Sequence, residues 1–114
     1  MKLSQRIAAK QQERPRGHIE VEEWGSEDEP CVLYFTQLTA RDIDHVSRKH
    51  PDLLKDVKPN AMVEMIIHKA EDKDGEKVFA LDDKPVLMRE SLSVLSKVFA
   101  AIFEAGVEGD AEKN

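Results

Sequence analysis

An α+β fold is predicted for this chain: a mostly helical small domain with an N-terminal β-hairpin packed on three to four helices. Three observations predict it. His18-Ile19-Glu20-Val21-Glu22 alternates polar and apolar, the period of a strand with one buried face. Cys31-Val32-Leu33-Tyr34-Phe35 is a β-branched and aromatic run of strand length, placed to return antiparallel to the first. Leu92, Leu95, Val98, Phe99, Ile102 and Phe103 recur at helical spacing as one continuous stripe. An isolated hairpin is marginal in water, so this one must pack on helices.

The elements follow in chain order. Leu3 to Gln12 is compatible with helix, with Leu3, Ile7 and Lys10 on one face. That stripe is too thin to fold alone, so the segment either moves freely or docks on something. Pro15 and Gly17 end it. Between the two strands, residues 23–30 form a polar turn that carries Trp24, the single tryptophan. Thr39-Ala40-Arg41-Asp42 has the pattern of a capping box, with Thr39 as N-cap and Asp42 reaching back. Ile43 and Val46 give the following helix a short apolar face, and Pro51 closes it. After a linker from Leu53 to Lys58, Pro59-Asn60 starts another helix, with Asn60 as the expected N-cap. Met62, Val63, Met65, Ile66 and Ile67 cover most of its circumference, which places it centrally in the core.

Asp72-Lys73-Asp74-Gly75-Glu76-Lys77 is then a tight acidic turn in which Gly75 supplies a positive φ. Val78, Phe79 and Leu81 are expected to return the chain to the core. Asp82 or Asp83 caps the next turn and sets Pro85 near a first helical position. The last helix has Ser91 as a reasonable N-cap and Gly106 as a reasonable stop. The expected organisation is a basic arm over residues 1–17, one globular domain over 18–105, and an acidic, disordered tail over 106–114.

Length and composition bound the function. A chain of 114 residues with 40% hydrophobic and 35% charged residues is one soluble, highly charged domain by expectation. No apolar run approaches a membrane span and no signal-peptide stretch is present, so a cytoplasmic protein is expected. The lone Cys31 cannot form an internal disulfide, and its apolar run suggests a buried structural thiol. Charge is spread unevenly. The arm holds Lys2, Arg6, Lys10, Arg14 and Arg16 against Glu13 alone, a balance of +4, so the remainder carries −10 of a total of −6. Such an arm can contact nucleic acid, with a salt-sensitive affinity, or the acidic face of a neighbouring copy. With no aromatic side chain in the arm to stack on bases, and a body that repels phosphate, nucleic acid is the less favoured partner.

Motifs for catalysis or metal are lacking. The acidic turn resembles a calcium loop only until its spacing is counted: with Gly75 at position six, Ala70 falls at position one and Leu81 at position twelve, and neither side chain can ligate calcium. His45 and His50 are five apart, which puts them on different sides of a helix, with no cysteine near. His68, near the end of an apolar helix, suits a dipole-capping role. There is no phosphate-binding glycine loop and no nucleophile elbow. Glu22 and Glu23, adjacent on a strand, point to opposite faces. The expectation is therefore a non-enzymatic protein with no cofactor and no metal site.

What remains is a surface for interaction. Trp24 in a polar turn is either an exposed anchor, since aromatic residues dominate interface hot spots, or a lid folded back over the hairpin. Val94 and Ala101 widen the apolar surface of the last helix beyond what one core face needs. Together with Trp24 they are the expected partner-binding residues, lining an apolar groove.

As a set, these features have a family likeness. The strand segment Val21-Glu22-Glu23-Trp24-Gly25, the apolar strand after it and the capped helix at Thr39 come first. The Asp74-Gly75-Glu76-Lys77-Val78-Phe79 turn into Leu81-Asp82-Asp83 and the final apolar helix follow. In this order, over roughly residues 18 to 104, the chain resembles the small tail assembly chaperones of long-tailed, siphovirus-like bacteriophages and prophages. The resemblance implies an assembly factor that binds the tape-measure protein, keeps it soluble and helps recruit tail-tube subunits. It also implies a homo-oligomer in the host cytoplasm. The alternatives are a small nucleic-acid-binding regulator acting through the basic arm, or an unrelated bacterial adaptor domain.

Overall fold

The computed structural model describes the backbone of residues 2–112 and the side chains of residues 2–105. Among them the expected α+β architecture is present, with five α-helices and one two-stranded antiparallel sheet. Helix α1 (Leu3–Glu13) leads into β1 (Gly17–Glu20), which pairs with β2 (Val32–Phe35) in the register Gly17 with Phe35 and Glu20 with Val32. A 3-10 turn over Glu22–Trp24 opens the connection between them. Helices α2 (Ala40–Ser47), α3 (Pro59–Lys69), α4 (Lys84–Met88) and α5 (Leu92–Glu112) complete the chain.

Helix α3 is the axis of the core. Ala61, Met62, Val63, Met65, Ile66 and Ile67 are all buried, so most of the helix circumference is enclosed and only the side of Glu64 and His68 is half-buried. It packs on α5, α4 and α2, while β1 lies along α5. Val94, Leu95, Val98 and Ile102 supply the α5 contribution, and Val21, Leu33 and Phe35 that of the hairpin region. Leu53 from the linker is buried, whereas its neighbour Leu54 is exposed.

The local rules hold where their contacts are short in sequence. Thr39 Oγ1 accepts from the Asp42 N–H at 3.1 Å, and Asp42 Oδ2 accepts from the Thr39 N–H at 2.9 Å, which is the reciprocal capping box. Asp83 accepts from the Ala80 N–H at 2.8 Å and so caps the turn ahead of α4. Gly75 has φ of 87°, the one positive φ among the described residues. Asp72 organises that turn by accepting from the N–H groups of Asp74 and Glu76. Gly75→Ala is expected to cost about 1 kcal/mol through backbone strain alone, because a Cβ there meets nothing within 4 Å. Chemical denaturation of the two proteins checks this.

Several expectations are corrected. Asn60 does not cap α3: Lys58 precedes the helix and Pro59 occupies its first turn, where a fixed φ and a missing N–H cost nothing. Leu81 does not return to the core. It is 65% exposed, because the 3-10 turn at Leu81–Asp83 turns it outward, and Val78 lies at the surface rim with Phe79 half-buried between them. Gly106 does not end α5, whose backbone stays helical to Glu112. The side chains of the expected tail from Gly106 onward, and residues 113 and 114 altogether, lie outside the described residues.

The arm does form a helix, but none of its residues is buried, and Leu3 and Ile7 remain exposed. Docking begins only at its base. The Arg16 guanidinium donates to the carbonyls of Asp72 at 3.0 Å and Lys73 at 2.6 Å, lies 4.9 Å from the Tyr34 ring centroid, and sits 3.7 Å from Glu71. The acidic turn is thus tied to the hairpin by the last cation of the arm. Among the described residues, no helix is long and apolar enough to cross a membrane.

Candidate functional site

An apolar cleft of about 620 Å³ lies at one edge of the hairpin. Trp24, Cys31, Val32 and Leu33 form one wall. Val78 and Phe79 from the end of the acidic turn, with Val86 and Leu87 of α4, form the other, and Arg89 and Glu90 stand at the rim. Short local features hold these walls in place. The 3-10 turn at Glu22–Trp24 carries the chain off β1 and swings Trp24 towards α4. Gly25 then passes so close to β2 that a Cβ would stand 2.8 Å from the Cys31 backbone nitrogen.

Trp24 combines the two roles that its position in the sequence leaves open. Its ring is half-buried and meets Phe79 edge-on, with centroids 6.0 Å apart. Its indole N–H donates to the Glu90 carboxylate, and that bond, with one from the Ser91 N–H, holds the Glu90 carboxyl below its usual range. The ring therefore closes part of the core while its outer surface lines the cleft. Cys31 is half-buried against the same cleft rather than fully enclosed, and burial pushes its thiol up, away from the thiolate that a nucleophile needs.

The other expected partner-binding residues do not join Trp24. Val94 is only 5% exposed and is part of the core, so it faces inward. Ala101 lines a different hollow of about 390 Å³, between the start of β1 and the middle of α5, with Gly17, Ile19 and Phe35. The cleft beside Trp24 lies between β2 and α4, whereas β1 lies along α5 and Lys97 of α5 reaches the Trp24 turn through Glu23 at 2.7 Å.

A polar cluster that sequence reasoning missed joins α2 to the end of α3. Lys69 is buried, and its ammonium donates to Asp42 Oδ2 at 2.8 Å, to Thr36 Oγ1 at 2.7 Å and to the Gln37 carbonyl at 3.4 Å. The other oxygen of Asp42 meets His68 Nε2 at 2.8 Å, and the His68 ring stacks on His45 with centroids 4.3 Å apart. His68 is therefore a direct partner of Asp42 from the last turn of α3. Burial favours the neutral ring and lowers its pKa, against the raising effect of Asp42. Burial also works to raise the Asp42 pKa, but the bonds from Lys69, Thr39 and His68 outweigh it and bring the carboxyl to about 2. A second pair, His50 Nε2 on Glu64 Oε2 at 3.0 Å with Lys84 on the same oxygen at 2.6 Å, braces α4 against α3. Among the described residues, no three His, Cys, Asp or Glu side chains are grouped to hold a metal ion.

A signal for this cluster was in the chain. Lys69 follows Met65, Ile66 and Ile67 in a largely apolar helix, so a cation there either escapes the core or is buried with a partner. Chemically, the cluster is a saturated structural network, whereas the cleft is an open apolar surface with a polar rim. No protein-family model, no curated protein and no solved structure matches this chain.

Proposed function

We propose that this chain is a non-enzymatic assembly factor of the tail-chaperone type, acting in the cytoplasm, and that its cleft holds an apolar segment of the tape-measure protein before tail-tube subunits arrive. The observation that carries this reading is the cleft of about 620 Å³ beside Trp24, in which Val86 is 67% exposed and Val78 38% exposed. Contiguous exposed apolar surface rimmed by charge favours a protein partner. The acidic body keeps the complex soluble by repulsion between copies.

The test is a titration of a tape-measure fragment followed through Trp24 fluorescence. Trp24→Ala is expected to weaken binding by roughly tenfold or more, the usual range for a central aromatic anchor. Isothermal titration provides the readout for that variant, which lacks the fluorophore. A fragment that does not bind, or that binds Trp24→Ala equally well, contradicts the proposal.

One observation favours a second reading. Lys2, Arg6, Lys10 and Arg14 recur at every fourth position along and just beyond α1, a basic stripe on a helix that contributes nothing to the core. Under that reading the arm binds nucleic acid, and deleting residues 1–14 abolishes a salt-dependent affinity while leaving client binding intact.

A further inference from the structure

Strand β2 has two edges, and only part of the outer one is used. Tyr34 exchanges both backbone hydrogen bonds with Glu71, at 2.9 and 2.8 Å, on the side away from β1. In an antiparallel ladder successive residues direct their N–H and C=O to alternate sides, so Val32, two positions before Tyr34, presents its pair to the same outer edge. The bond from the Val21 N–H to the Cys31 carbonyl at 2.8 Å fixes the same alternation from the β1 side. No described residue takes up the Val32 N–H or C=O on that edge. The chain segment that pairs with Tyr34 leaves the sheet at once, because Asp72 turns it back through its bond with Glu76. Val32 also lines the apolar cleft.

A buried or apolar-flanked strand edge with open peptide groups is a template for another strand. We infer that the cleft takes its partner as an extended segment that adds a short strand to β2 at Val32, with alternate apolar side chains resting on Trp24, Phe79 and Leu87. This rests on the proposed role of the cleft in holding a client. The lane is short. Pro30 has no N–H to offer, and the turn at Asp72 blocks the other end, so pairing is confined to the peptide groups around Val32 and the side-chain contacts must supply the rest. The flank of the segment should be cationic. Glu22, Glu27, Asp28 and Glu29 sit exposed in the connection just before Pro30, and none has a cationic side-chain partner among the described residues.

The probe is a short peptide of alternating valine and threonine with lysine at both ends, added to the full chain and followed by amide hydrogen exchange and nuclear magnetic resonance. Slowed exchange at the Val32 amide is expected. The same peptide N-methylated on alternate residues, so that it cannot pair, should bind about tenfold more weakly. Val32→Pro removes the outward N–H without touching the bonds to β1, and edge strands tolerate proline. It should weaken the peptide and the tape-measure fragment alike. Should that variant fail to fold, the N-methylated peptide with the unaltered protein decides the matter alone. Failure of the unmodified peptide to bind, or equal binding of the methylated one, overturns strand addition. A tape-measure fragment that needs Trp24 but ignores Val32→Pro also overturns it, while leaving the client-holding role standing. A fragment that binds neither protein removes both.

Discussion

Replacing Asp42 by alanine is expected to cost about 3–5 kcal/mol, the range found when one partner of a buried ion pair is removed. The arrangement explains why so much depends on one carboxylate. Lys69 is 4% exposed and would keep only the Thr36 hydroxyl and the Gln37 carbonyl, two neutral acceptors for a buried ammonium. The N-terminal cap of α2 would lose the reciprocal bond to the Thr39 N–H, and His68 would lose its partner. A domain of this size has roughly 5–15 kcal/mol in total, so urea denaturation should show a large fall in midpoint with an unchanged slope. Adding Lys69→Met to Asp42→Ala should restore part of the loss, because the orphaned charge goes with it. If the double variant is as unstable as the sum of the single ones, the two groups are not coupled.

The same cluster sets the acid response. A carboxyl held at about 2 against an unfolded value of 3.8 adds stability that is complete above 3.8 and lost as the pH falls towards 2. Glu64 acts in the same sense from its ordinary 4.5, since Lys84 and His50 together outweigh the burial that would raise it. His68, lowered from 6.5 chiefly by burial, is most favourable when neutral, so its contribution is complete above 6.5 and declines as the ring is protonated below that. Stability should therefore be level between pH 6.5 and 9, sag slightly below 6.5, and drop steeply under pH 4.5. Asp42→Asn should lose the lowest part of that drop, read from urea midpoints at a series of pH values.

Legibility in the sequence followed the distance over which each contact acts. The Thr39–Asp42 box spans three residues, and the α5 stripe and the apolar circumference of α3 repeat within a turn or two, so each could be read from neighbours alone. Gly75 was legible because few side chains tolerate a positive φ. Lys69 was not, since its partner Asp42 lies 27 positions away and the helix-terminal position suggests an exposed cation. Leu81 and Val94 were misplaced for a related reason. An apolar residue near a turn or on a wide stripe has two directions to face, and packing against α3 and α4 decides between them. The cleft itself was half legible. Trp24 marked it, but its opposite wall is formed by Phe79 and α4, which only the folded path of the acidic turn brings near.

The close seat of β1 on α5 carries the second large effect. Phe35 is 1% exposed, and its replacement by alanine is expected to cost about 3–5 kcal/mol in transfer and cavity terms. Its ring also explains Gly17. A Cβ at that position would stand 2.6 Å from Phe35 Cε2 and 2.9 Å from Ala105 Cβ, so β1 meets α5 with no room for a methyl group. Gly17→Ala alone should destabilise by roughly 1–3 kcal/mol, the range for overpacking. In a Phe35→Leu background the nearest atom, Cε2, is gone, so the same substitution should cost visibly less. An equal cost in both backgrounds would mean that α5, through Ala105, and not the ring, excludes the methyl group. Whichever obstacle dominates, its effect reaches the cleft. The hairpin is positioned at the Gly17–Phe35 end by this contact, and the Val32 edge with the Trp24 wall lies at the other end of the same two strands. A hairpin lifted from α5 at Gly17 should therefore bind the peptide probe less well even though no cleft residue has changed.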